Sequence, residues 1–107
     1  MHHGYVYFIG AHDPNGTIAA TKIGFSSRPA KRLAELQTAS SRPLTLRGFI
    51  PGTKEDEAWL HECFAHRRLT GEWFGSDPEL ERMVIDARRF DFLPSYAAHA
   101  DRVQVPA

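Results

Sequence analysis

Residues 4–37 constrain the fold most. Two short runs rich in β-branched and aromatic residues, 5–9 and 18–25, flank His12, Asp13, Pro14, Asn15 and Gly16. Such runs around Pro-Asn-Gly chemistry predict a β-hairpin. The second run ends in Gly24, Phe25, Ser26 and Ser27, and an amphipathic segment follows with Ala30, Leu33, Ala34 and Leu36 as its apolar positions. Ser27 is a good N-cap, and Pro29 suits a first helical turn. A strand therefore hands the chain to a helix over 28–38, and Arg32 emerges from that helix. Tyr7, Lys22 and Arg32 together offer a phenol, an amine and a guanidinium, a set that suits an anionic substrate.

Along the first strand Tyr5, Tyr7 and Ile9 share one side, and Val6 and Phe8 share the other. Both sides are apolar, as in a central strand covered on both faces. Tyr7 alone reads equally well as core. Residues 10–17 form the hairpin loop. Lys22, inside a short apolar strand, belongs either to a solvated face or beside an anion. After a loop at 39–42, Leu44, Leu46, Gly48 and Ile50 alternate with Thr45, Arg47 and Phe49 in a third strand. Thr53 is a plausible N-cap with Asp56 as its capping-box partner, and a second helix runs over 54–67.

On that helix Glu57, Leu60, His61 and Phe64 fall at i, i+3, i+4 and i+7, which puts a carboxylate and an imidazole on an apolar stripe. Polar groups so placed are costly unless they are paired or bound to a metal. An ordinary ion pair with a hydrogen-bonded core histidine, and a functional site, both satisfy that demand. Residues 69–74 read as a turn with an aromatic plug, Trp73 and Phe74, in which Glu72 is a surface acid or a site acid. A third helix starts at Ser76, Asp77 and Pro78, presents Leu80, Met83, Val84 and Ala87, and is sealed by Phe90, Phe92 and Leu93. The expectation is one α/β (α+β) domain over 1–93, with a small three-stranded antiparallel sheet flanked by about three helices. A tail follows over 94–107.

The chain has 107 residues, enough for one modest core. Thirteen basic residues balance thirteen acidic ones, which argues against nucleic-acid binding through bulk charge. A local cluster can still serve, and Arg28, Lys31, Arg32 and Arg42 lie close in sequence, with Arg67 and Arg68 after Glu57 and His61. The lone Cys63 leaves no intramolecular disulfide and no cysteine zinc cluster, and fits a reducing cytoplasm. No apolar run approaches the ~20 residues that span a bilayer, and no secretory core is present, so no membrane partner is expected. P-loop, nucleophile-elbow and His-Glu-x-x-His patterns are absent from the sequence.

Tyr5-Val6-Tyr7, Lys22-Ile23-Gly24 and Arg32, eight positions after Gly24, form one ordered set. Glu57-Ala58-Trp59-Leu60-His61 and Gly71-Glu72-Trp73-Phe74 complete it. The set resembles the GIY-YIG nuclease superfamily over residues 4–84. It is most similar to a phage-associated branch with a Lys-Ile-Gly second motif and a Gly-Glu-Trp-Phe turn. Tyr5 for Gly and Lys22 for Tyr depart from the main pattern.

The resemblance implies a metal-dependent endonuclease whose partner is DNA. Glu57 would hold Mg²⁺ or Mn²⁺, Arg32 would bind the scissile phosphate, and Tyr7 would orient or activate water. Lys22 would replace the second-motif Tyr, as a base if its pKa falls far below ~10.4, or else as a clamp. In the latter case His61 would supply the base. Glu62 ranks below Glu57 as metal ligand, and Glu72 sits where the family often places a late polar residue. Arg28, Lys31 and Arg42 are the expected nucleic-acid contacts. Two alternatives stay open: an inactive GIY-YIG-like module that binds nucleic acid or protein, and an interaction protein with a buried Glu57, His61 and Arg32 network. Cut-site preference and oligomeric state are not legible in the residues.

Overall fold

The structure, a computed structural model, describes residues 4–90. The expected tail and the expected sealing by Phe90, Phe92 and Leu93 lie outside the described residues and side chains. The elements in order are β1 (Gly4–His12), β2 (Ile18–Ser26), α1 (Pro29–Ala39), β3 (Leu44–Gly52) and α2 (Lys54–Cys63). A 3-10 turn at Ala65–Arg67 leads to β4 (Arg68–Thr70), β5 (Trp73–Phe74) and α3 (Pro78–Phe90). The strands form one antiparallel sheet of five, in the order β3-β1-β2-β5-β4. The α+β class is as expected, but the three-stranded sheet is not. Strands of three and two residues are too short to show a period of two, so the stretch read as a turn is a small hairpin. Gly71 turns it with φ +54°, a conformation that favours glycine. No described helix is long and apolar enough to cross a membrane.

β1 is central, and its two sides carry the two halves of the core. Tyr7, Ile9, Ala11 and Leu44 pack beneath α1, with Leu33 and Leu36 against them. Val6, Phe8, Ile23, Leu60, Phe64, Phe74, Leu80, Val84 and Ala87 form the other half, between the sheet and α2 with α3. Full burial of each large apolar side chain here stabilises the fold by about 1.5–3 kcal/mol.

The alternation expected for the third strand breaks in the middle. Phe8 pairs with Gly48 but Ile9 pairs with Leu46, so Arg47 is an extra residue in a bulge. Leu44, Leu46 and Phe49 therefore all pack on the α1 side, while Ile50 joins the other half of the core. The bulge lets the Arg47 guanidinium donate to Thr21 Oγ1 at 2.9 Å and to both Glu81 carboxylate oxygens at 3.0 and 2.6 Å, which ties β3, β2 and α3 together.

Helix ends depart from expectation by a few residues. α1 has Arg28, not Ser27, at its N-cap, without a side-chain cap. Ser26 Oγ instead accepts from the Arg28 N–H at 2.9 Å. α2 has the expected Thr53–Asp56 capping box with both bonds formed, at 3.1 and 2.8 Å. It ends at Cys63, earlier than the expected residue 67, because the chain tightens into the 3-10 turn. Asp77 Oδ1 accepts from the Glu79 and Leu80 N–H groups at 2.8 and 3.2 Å and so caps α3.

Candidate active site

β5 covers only Thr21 and Lys22 of β2. Beyond them the outer edge of β2 has no strand beside it among the described residues. Ile23 meets this edge with both of its backbone groups. Its N–H donates to the Glu72 carbonyl at 3.0 Å. Its carbonyl lies 2.9 Å from His61 Nε2, an imidazole standing where a strand donor would otherwise be. That contact assigns the proton to Nε2. His61 Nδ1 then accepts from Arg68 Nη2 at 3.3 Å. The capping box starts α2 in the register that turns Glu57, Leu60, His61 and Phe64 toward the sheet, as the stripe implies. Leu60 and Phe64 anchor in the core, and Glu57 and His61 arrive at the β2 edge.

Glu57 is only 6% exposed. Its nearest described basic neighbours are Lys54 at 3.7 Å and the His61 ring at 3.9 Å. Burial, and then the charge and hydrogen bond of Glu72, push its carboxyl above the usual range, although Lys54 and His61 pull the other way. Glu72 goes in the opposite direction. Burial disfavours its charge, but the Lys22 ammonium at 2.5 Å, with help from His61 and Lys54, holds it below the usual range. Lys22 is buried between Ile9 and Trp73 in the sheet, 6.0 Å from the centre of the Trp73 ring. Of the two environments read for it from sequence, the structure puts it beside an anion. Glu57, His61 and Glu72 each offer one ligand atom within 4.8 Å of one another. Two carboxylates, of which Glu57 has no close ion pair, are a donor set that hard divalent cations accept, and such cations need few protein ligands.

Tyr7 reaches this edge from the α1 side. It pairs with Gly24 across β1 and β2. A Cβ on Gly24 would overlap Cζ and Oη of Tyr7, so the glycine is what lets the phenol lie across β2. Arg32 comes down from α1 close enough for its charge to act on the phenol, and its Nη1 donates to Glu35 Oε1 at 3.3 Å. Burial raises the Tyr7 pKa above its ordinary value. Arg32 opposes that shift, while the Glu72 and Glu57 charges add to it. Tyr7 thus keeps its proton in this arrangement.

Tyr7, Lys22, Arg32, Glu57, His61 and Glu72 all meet at one place. The expected nucleic-acid contacts have surroundings of their own. Arg42 pairs with Asp13 at the hairpin loop, at the other end of β1 from Tyr7, at 3.1 Å. Lys31 lies 3.8 Å from Glu35 on α1, and Arg28 is exposed at the start of that helix. Glu62 is exposed and outside the carboxylate cluster. Sequence reasoning missed Lys54 outright and named Gly24 and Arg68 without their parts at the site. Lys54 sits one turn before Glu57, a spacing that was available as a signal. Gly24 matters through the ring above it, and Arg68 through the imidazole seven positions earlier.

Searches among curated proteins and among solved structures each return no match. The family model of the T5orf172 domain matches residues 4–90, from the first strand through α3. The chain therefore belongs to the T5orf172 domain family, a phage-associated domain of the nuclease group with which nuclease-like or DNA-binding function is associated.

Proposed function

We propose that this chain is an endonuclease of GIY-YIG type that hydrolyses DNA phosphodiester bonds with Mg²⁺ or Mn²⁺. The observation that carries the reading is the buried Glu57 carboxylate, with Glu72 and His61 around it and the Tyr7–Arg32 pair beside it. Glu57 and Glu72 would hold the cation, which when bound neutralises phosphate charge and stabilises the leaving oxygen. Arg32 directs its fork of donors at a non-bridging phosphate oxygen, the charge-assisted geometry that discriminates a phosphorane from a ground-state diester. Tyr7, protonated and steadied by Arg32, orients the attacking water. Lys22 keeps Glu72 ionised. His61 positions α2 on the β2 edge through Ile23, and a base role for it requires Nδ1 to part from Arg68.

A second reading, the inactive binding module, draws on the Lys22–Glu72 pair, which already neutralises one of the two carboxylates. Supercoiled plasmid separates the two. Under the leading reading, nicking appears with Mg²⁺ or Mn²⁺, disappears with chelator, and falls by roughly 10²–10³-fold in Arg32→Ala. A folded protein that binds DNA but nicks it in neither metal is the binding module.

A further inference from the structure

Arg68 stands at the site with no role in the chemistry above. It is exposed at the start of β4. Two contacts hold it, and both are with uncharged or aromatic groups. Nη2 faces His61 Nδ1 at 3.3 Å, and Cζ lies 5.7 Å from the centre of the Phe74 ring. No carboxylate pairs with it among the described residues, although Glu57 and Glu72 sit just beyond His61. Its neighbour Arg67 contrasts with it, since Arg67 Nε lies 3.6 Å from Asp77 Oδ2. An exposed arginine without a partner is ordinary. One stacked on an aromatic ring and steadied by an imidazole has lost side-chain freedom while keeping its full charge and most of its donors. Such a group is prepared for an anion that arrives from outside.

Its position says which anion. Arg32 approaches the β2 edge from the α1 side through Tyr7, and Arg68 approaches the same edge from the α2 side through His61. The two guanidiniums thus reach the site from opposite sides of the sheet, one by way of Tyr7 and the other by way of His61. A nucleic-acid strand laid along the uncovered edge of β2, with its scissile phosphate at Arg32 and Glu57, would pass Arg68 with a neighbouring phosphate. We infer that Arg68 binds the backbone phosphate adjacent to the scissile one and so fixes the path of the strand through the site. The inference rests on the nucleic-acid reading of this site. It would also let a chain of zero net charge hold DNA by two built contacts where the cut is made instead of by a broad basic surface.

The test is the salt dependence of binding to a fluorescent duplex, measured by anisotropy with chelator present. The parent is Glu57→Gln, so that nothing is cleaved. Arg68→Gln keeps an N–H for His61 and a stem over Phe74 but removes the charge, and circular dichroism confirms its fold. Arg67→Ala removes one neighbouring charge as a control. Loss of one phosphate contact lowers the slope of log K against log salt by about 0.9. It weakens binding at 0.1 M salt by about ten-fold. Arg68→Gln is expected to show both changes, Arg68→Lys to recover the slope, and Arg67→Ala to stay within two-fold of the parent. Unchanged slope and affinity in Arg68→Gln, with a parent that binds, overturns the role of Arg68 and leaves the site reading standing. A parent that binds no DNA even at low salt overturns the nucleic-acid reading and the role of Arg68 with it.

Discussion

Glu57→Gln is expected to lower metal-dependent cleavage by about 10³-fold and at the same time to raise the melting temperature at pH 7. The loss of rate follows from replacing an anionic metal ligand by a neutral amide, which removes electrostatic stabilisation of the phosphorane as well as cation affinity. The gain in stability follows from burial. The Glu57 carboxyl is raised in the folded chain above the ~4.3 of an unfolded one, so the fold prefers it protonated. Its favourable contribution is complete below the unfolded value and is lost as pH rises through the raised folded value. At pH 7 the wild-type chain carries that cost, and a Gln side chain does not.

A thermal melt at each pH from 4 to 8 checks the sign. The variant should be the more stable by a few degrees at neutral pH, with the difference shrinking toward pH 4. Saturating Mn²⁺ should reverse the order. A ligand present at 100 times its Kd stabilises the folded state by about 2.7 kcal/mol, and only the wild type has the carboxylate to bind it. A variant less stable than wild type at pH 7 without metal would mark Glu57 as a structural acid.

Gly24→Ala is expected to be nearly as damaging, through Tyr7. Gly24 does not adopt positive φ, so backbone strain is not the issue. The added methyl would overlap Cζ and Oη of a ring that is 2% exposed and held among Ile9, Phe49 and Leu33. Overpacking of this kind costs about 1–3 kcal/mol, which lowers the melting temperature by roughly 4–8 °C per kcal/mol in a domain of this size. The phenol, once displaced, leaves Arg32 without its seat, and misplacement on the order of 1 Å costs about 10²-fold in rate. A double-mutant cycle isolates the cause. In a Tyr7→Leu background the ring is gone, and Gly24→Ala should lose most of its destabilising effect. Equal destabilisation in both backgrounds would place the penalty elsewhere.

What the residues revealed, and what they concealed, follows from distance along the chain. The β1 alternation and the Glu57–Phe64 stripe depend on periods of 2 and 3.6, and both are visible in a short window. The Thr53–Asp56 capping box spans one turn and was equally legible. β4 and β5 were not, since neither completes a pattern. The bulge at Arg47 was hidden because apolar alternation runs straight through it, and only the skipped register with β1 exposes it. The helix boundary at Cys63 was hidden for a related reason, since Phe64 continues the apolar stripe after the helix has ended.

At the site, sequence named the chemical types but not who holds whom. Lys22 and Glu72 are 50 positions apart, and His61 and the Ile23 carbonyl are 38 apart. Neither pairing leaves a local trace. Lys22 therefore read as base or clamp until its carboxylate partner came into view. Arg42 read as a phosphate contact from its neighbours in sequence, which carry no sign of the pair it makes with Asp13 in the hairpin loop.

The most direct measurement is a Mn²⁺ titration followed by the loss of free-ion signal in electron paramagnetic resonance, with wild type and Glu57→Gln side by side. One ion per wild-type chain, lost or weakened at least ten-fold in Glu57→Gln, is the expected result. A folded wild-type chain that binds no ion, or a variant that binds it equally well, would contradict Glu57 as the metal-holding residue.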